Sequence, residues 1–211
     1  MVRLLVATTN PAKLAEYRLL LRELQLEAIS LHDLGITEAP EESGATFAEN
    51  ALIKARFYFE RAGVATIADD GGLEIDALGG EPGVRSHRWL GSGENSDRAL
   101  VNEVIKRLEG VEASKRTARI RAVAALIYKD GAEVRERTAE AAIEGTIAER
   151  AYREIRPGFP YRAVLMLPER NQYLAELGDE EEAQISQRRV ALKMLWTDLE
   201  RLARSAPGRL L

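Results

Sequence analysis

Residues 3–8, Arg-Leu-Leu-Val-Ala-Thr, form an apolar run too short for a stable helix. A run of this length, bounded by polar residues, reads as a buried strand. It stops at Asn10-Pro11, where asparagine caps a helix and proline suits its first turn. Leu14, Tyr17, Leu21 and Leu24 then recur at helical spacing to about Gln25. A buried strand running straight into a one-faced helix must cover that face with a sheet, which restricts the chain to layered α/β arrangements.

The same grammar continues. A short strand is expected at Glu27–Leu31. Thr46-Phe47-Ala48-Glu49 has the spacing of a capping box, so a helix should run from there to about Ala62 and stop at Gly63. Asn50 and Lys54 lie one turn apart on it, on a common face. Val64–Ala68 and Leu73–Ala77 read as strands around Asp69-Asp70-Gly71-Gly72. A helix is expected at about Asp97–Leu108. Asp130-Gly131 between Ala118–Lys129 and Glu133–Ile147 marks a hairpin. An apolar strand follows at Ala163–Leu167. One long helix is expected over roughly Glu180–Arg204, with Ile185, Leu192, Leu195 and Leu199 inward, and a frayed tail over 205–211. The fold class is α/β: an elongated mixed sheet with flanking helices. The chain reads as a single domain, with a possible smaller lobe within about 110–165.

Composition limits the chemistry. The 211 residues contain no cysteine and two histidines, His32 and His87. Thiolate chemistry is excluded, and a His-rich zinc site or Ser-His-Asp triad is disfavoured. Carboxylates and lysines remain, which suit a hard cation with oxygen ligands. A net charge of −4 argues against nucleic acid as a partner, because that needs a basic face. No run approaches the ~20 apolar residues that span a bilayer, and the N-terminus lacks a signal-peptide pattern. A cytoplasmic protein without membrane contact is expected.

Three places carry possible chemistry. The turn Thr8-Thr9-Asn10-Pro11-Ala12-Lys13 joins a strand to a helix N-terminus, a natural anion site; the plain alternative is a cap beside a surface lysine. Asp69-Asp70 sits at a strand end, where neighbouring side chains face opposite ways. One aspartate can then serve a ligand while the other braces loops; alternatively the four residues simply form a turn. Glu41-Glu42 precedes a helix, where acidic residues also suit the dipole.

The order of these segments resembles the non-canonical purine nucleoside triphosphate pyrophosphatases, the inosine/xanthosine triphosphate pyrophosphatase family. The matching stretches are 7–17 (ATTNPAKLAEY), 41–55 (EESGATFAENALIKA) and 67–89 (IADDGGLEIDALGGEPGVRSHRW). Weaker matches lie at 158–177 and 185–192. The resemblance implies two lobes around a central cleft, a homodimer, and hydrolysis between the α and β phosphates to a nucleoside monophosphate and diphosphate. It implies that Thr8, Thr9, Asn10, Lys13 and Lys54 meet the phosphates. Glu42, Asp70 and Asp69 would serve Mg²⁺, with Mn²⁺ as a possible substitute, and Asp70 would accept the proton of the attacking water. Arg88 matches a family arginine near the same loop.

The chain departs from the family at four places. Gly71 replaces a serine whose hydroxyl would face substrate. The base-binding loop, Gly-Phe-Gly-Tyr-Asp in the family, is Gly158-Phe159-Pro160-Tyr161-Arg162. A family lysine aligns with Glu182, and a Ser-His-Arg triplet aligns with Ser186-Gln187-Arg188. The departures imply altered or relaxed base choice; the alternative is a weakly active nucleotide-binding sensor. Aspartate becomes Arg162 and lysine becomes Glu182, so the signs reverse together. The pair is expected to meet in the base pocket, against the alternative of two independent surface changes.

Overall fold

The computed structural model describes residues 2–24 and 26–204. The expected tail at 205–211, and Gln25 at the expected end of the first helix, lie outside those residues. Seven strands form one mixed sheet in the order β2-β1-β3-β4-β5-β6-β7, with β1 Val2–Val6, β2 Leu26–Ser30, β3 Ala65–Ile75, β4 Thr117–Asp130, β5 Glu133–Ile147, β6 Leu165–Leu167 and β7 Gln172–Tyr173. Among the described residues six α-helices accompany them: α1 Pro11–Leu21, α2 Phe47–Ala62, α3 Asp97–Arg107, α4 Asp179–Ile185, α5 Gln187–Met194 and α6 Trp196–Arg204.

β1 pairs in parallel with β2 and with β3, placing Leu5 opposite Ile29 on one side and Thr66 on the other. Parallel strands of this kind are covered on both faces, and Leu4, Leu5 and Val6 are all buried accordingly. Helix α2 begins with the anticipated box: Thr46 accepts from the Glu49 backbone while the Glu49 carboxylate returns to Thr46. It ends at Gly63, whose φ of 65° is the left-handed conformation that glycine adopts without penalty.

Two expectations are corrected. Asp69-Asp70-Gly71-Gly72 is not a turn; it lies inside the continuous strand β3. A Cβ at Gly71 would run into the backbone carbonyl of Arg121 on β4, and one at Gly72 into the hydroxyl of Ser86. The glycines therefore permit close approach of neighbours within a strand, rather than a reversal. The long C-terminal helix is also three helices. Ser186, with ψ of 121°, leaves the helical region between α4 and α5, and Leu195 separates α5 from α6.

The chain divides into two compact units. The first comprises residues 1–70, 123–140 and 188–211; the second comprises 71–122 and 141–187. In the first, Leu5, Tyr17, Leu21, Ile67 and Leu199 are almost wholly buried. In the second, Leu73, Ile75, Leu100, Val104, Val164 and Leu165 share one core. Each such side chain contributes roughly 1.5–3 kcal/mol through removal from water. Among the described residues, no helix is long and apolar enough to cross a membrane.

Candidate functional site

The first unit gathers charges from five separated segments. Lys13 reaches Asp69 at 3.0 Å, and the Arg188 guanidinium donates to the same Asp69 oxygen at 3.0 Å. Arg188 also pairs with Glu16 at 3.3 Å. All but Glu16 are buried. Lys54 bridges two further carboxylates, Glu42 at 3.2 Å and Asp70 at 3.1 Å. Asn50, fully buried, donates from its amide nitrogen to the other Asp70 oxygen, and its amide oxygen accepts from the Gly44 backbone N–H at 2.8 Å. A side chain on Gly44 would collide with that amide, so glycine is what lets the Glu42 loop lie against α2.

Local structure explains the convergence. Asp69 and Asp70 are successive strand residues and so project to opposite faces; one meets α1 and α5, the other α2. On α1, Lys13, Glu16 and Tyr17 are three and four apart and occupy one face. On α2, Asn50 and Lys54 do the same.

The electrostatics follow from burial and pairing. Burial alone would raise the Asp69 carboxyl, but Lys13, then Arg188 and Lys54, outweigh it and hold it well below the usual carboxylate range. Burial lowers the Lys13 ammonium, with Asp69 opposing. Burial also works against Lys54, yet Asp70 and Glu42 together hold it above its ordinary value. Burial, reinforced by Asp69, pushes the Tyr17 hydroxyl far up. Neither the Tyr17 hydroxyl nor the Asp69 Oδ1 atom has a hydrogen-bond partner among the described residues.

The opening turn combines both alternatives left by its sequence. Asn10 is a true cap, accepting from the Ala12 and Lys13 backbone at 2.9 and 3.4 Å. Thr8 accepts from the Asn10 backbone, and Thr9 is exposed. Lys13 is not a surface lysine: it is 7% exposed, against Asp69. Arg188, expected among substrate-binding groups, is part of this ion network. Gly71 is corrected too, since a side chain there would point at β4 and not at a substrate.

The second unit holds the loop that the resemblance assigns to the base. Pro160–Ala163 form a short 3₁₀ turn. The Gly158 N–H donates to Asp97 at 2.8 Å, and the Tyr161 hydroxyl donates to the Ser86 carbonyl. Arg162 and Glu182 form an ion pair, and both are buried. Two independent surface changes are thereby ruled out. The other Glu182 oxygen accepts from Arg156 at 2.7 Å, and the Arg162 guanidinium carbon lies 4.0 Å over the Phe159 ring centre. Gln187 is buried, whereas Arg88 is exposed. Sequence reasoning gave no site role to Asn50, Glu16, Tyr17 or Arg156, although it set Asn50 beside Lys54. Shared helix faces with Lys54 and Lys13 were the available signal for the first three.

Comparison with known proteins finds relatives over nearly the whole chain. The Ham1 family model matches residues 4–198. A Bacillus licheniformis protein named dITP/XTP pyrophosphatase is 40% identical, over 92% of this chain and 96% of its own. One of the same name from Thermus thermophilus is 38% identical, over 92% and 90%. Among solved structures, a Ham1 protein from Coxiella burnetii superposes with a TM-score of 0.81 at 35% identity, covering 94% of this chain and 98% of that one. The Staphylococcus aureus Ham1 protein gives 0.80 at 30%, with the same coverage.

Proposed function

The chain belongs to the Ham1 family, and from that membership we propose that it is a nucleoside triphosphate pyrophosphatase. It cleaves non-canonical purine nucleoside triphosphates between the α and β phosphates, giving a nucleoside monophosphate and diphosphate. The observation that carries this reading is the convergence of Glu42 and Asp70, from distant segments, on the single ammonium of Lys54.

Two carboxylates drawn to one cation suit Mg²⁺, which binds one or two carboxylates and completes its shell with water and phosphate. Among the described residues, no group of three or more His, Cys, Asp or Glu side chains forms a closed metal cage. Glu42 and Asp70 would hold Mg²⁺, or Mn²⁺ in its place. When bound, the ion supplies positive charge that offsets the triphosphate. Asp69 is assigned a bracing role, because Lys13 and Arg188 share its Oδ2 atom.

The remaining work is positioning, which phosphoryl chemistry chiefly requires. Lys13 and Lys54 offset phosphate charge, and the Thr8, Thr9 and Asn10 side chains orient the chain of phosphates. Asn50 and Lys54 aim the Asp70 carboxylate, which accepts the proton of the attacking water. Arg188 keeps Asp69 from turning away from Lys13. Phe159, Pro160, Tyr161, Arg162, Glu182 and Gln187 read the base, with choice altered from the family's. A cytoplasmic homodimer acting on free nucleotides completes the proposal, supported by the resemblance and by the acidic net charge.

The test is diphosphate release from inosine, deoxyinosine and xanthosine triphosphates with Mg²⁺ or Mn²⁺. Diphosphate and monophosphate in equal amounts are expected. Nucleotide binding without hydrolysis would favour a sensor, and orthophosphate release would reject the assigned bond.

A further inference from the structure

We propose that Lys54 is a positioning residue that stands in for the divalent cation: its ammonium keeps Glu42 and Asp70 together before substrate arrives, and transfers to the phosphates when a metal–nucleotide complex binds. The inference rests on the reading of Glu42 and Asp70 as the metal-holding groups, and adds the order in which metal and nucleotide are taken up.

Lys54 Nζ lies 3.2 Å from Glu42 Oε2 and 3.1 Å from Asp70 Oδ1. Two carboxylates drawn this close repel each other unless a positive charge lies between them. Lysine supplies one such charge, with three donors and no acceptor, on a flexible four-carbon stem. The acids do not depend on Lys54 alone for their places. Asn50 donates to the other Asp70 oxygen, Oδ2, and accepts from the Gly44 N–H on the loop that carries Glu42. Helix α2 thus fixes both acids through Asn50 and leaves the Lys54 stem, one turn further on, able to swing. The Lys54 and Asp70 side chains are 12% and 10% exposed, but Glu42 is 32% exposed, so solvent reaches the pair from the Glu42 side.

Lys54 and a divalent cation compete for the same oxygens, and like charges so near each other repel. To admit the ion alone, the ammonium must leave two carboxylates and gain nothing. To admit the ion with a triphosphate, it exchanges them for several phosphate charges. Lys13 lies near enough to feel the Lys54 charge, so one anion serves both ammoniums. Lys54 therefore makes metal uptake wait on nucleotide, a coupling between the two ligands.

The experiment titrates Mn²⁺, followed by its electron paramagnetic resonance signal, into wild type, Lys54→Met and Lys54→Met with Glu42→Gln, all without nucleotide. Diphosphate release from inosine triphosphate is measured separately, and thermal unfolding checks folding. Lys54→Met should bind Mn²⁺ about tenfold or more tightly than wild type, the lower end of what one adjacent cation does to the affinity of a carboxylate for a proton. Its diphosphate release should fall. The opposite signs are the signature: a lysine that only meets phosphate leaves metal affinity alone, and one that only supports the fold lowers both. Glu42→Gln should remove the gain. Should Lys54→Met not fold, Lys54→Gln, which keeps a donor for Asp70, carries the same expectations; should neither fold, Mn²⁺ should restore the folded state by supplying the missing charge. Unchanged or weaker Mn²⁺ binding, a gain that survives Glu42→Gln, or unfolded variants that Mn²⁺ does not rescue overturn the inference alone. Absence of diphosphate from wild type overturns the pyrophosphatase reading, and the titration then still decides whether Lys54 competes with a cation.

Discussion

The two units treat buried charge differently. In the first, Asp69 meets Lys13 of α1 and Arg188 of α5, while Asp70 meets Asn50 and Lys54 of α2, and Lys54 also holds Glu42. In the second, Glu182 is held by Arg156 and Arg162, all within 27 positions along the chain. A many-partnered network resists substitution, since each change strands several groups. A pair can be replaced by its mirror image. The family resemblance implies the same division: the departures at Pro160, Arg162, Glu182 and Gln187 lie in the second unit, and Lys13, Glu42, Asp70 and Arg188 lie in the first. Interlocking, more than burial, sets how freely a buried charge can be exchanged.

The sharpest way to break the contrast is Asp70→Asn. It removes the proton acceptor while preserving shape, and diphosphate release should fall on the order of 10²–10⁴-fold. Unchanged turnover would reject Asp70 as the base. Next in size is Asp69→Asn, which leaves Lys13 and Arg188 buried without their carboxylate; urea unfolding should show a loss on the order of 3–5 kcal/mol. A smaller effect is expected in the second unit from the exchange Arg162→Asp with Glu182→Lys. Either change alone should destabilise clearly, and the double variant should recover most of the loss in a double-mutant cycle. If the singles simply add, Arg162 and Glu182 are not coupled.

Acid offers a milder probe. The Asp69 carboxyl is depressed in the folded protein, so its contribution is present above the ordinary carboxylate range of about 4 and is lost as pH falls through the lower folded value. Thermal midpoints should therefore drop in acid more steeply for wild type than for Asp69→Asn. The smallest effect should come from the exposed Arg56–Glu136 pair, where alanine substitution should cost under about 1 kcal/mol.

The strand–helix opening, the Thr46 capping box and the Asp130-Gly131 hairpin were legible because each is encoded by neighbours in sequence. The reversed signs at 162 and 182 likewise announced their pairing. Other features depend on distant contacts. Arg188 looked like a substrate-binding group because its partner Asp69 lies 119 positions away. The two glycines after Asp70 looked like a turn, since nothing local shows that Arg121 and Ser86 press against them. The break at Ser186 was hidden because the apolar spacing runs through it.

The Asn50 amide has one further implication, for how the protein ages. Its oxygen faces the loop and its nitrogen faces the aspartate, so hydrolysis to a carboxylic acid would turn the nitrogen side into an anion opposing Asp70. A mass change of about one dalton would leave the Gly44 N–H its acceptor but set a second negative charge against the Asp70 carboxylate. Deamidation requires the following backbone nitrogen to attack the side chain. At position 50 that nitrogen is locked in the interior of α2 and shielded from water, so the helix preserves the clasp chemically as well as placing it.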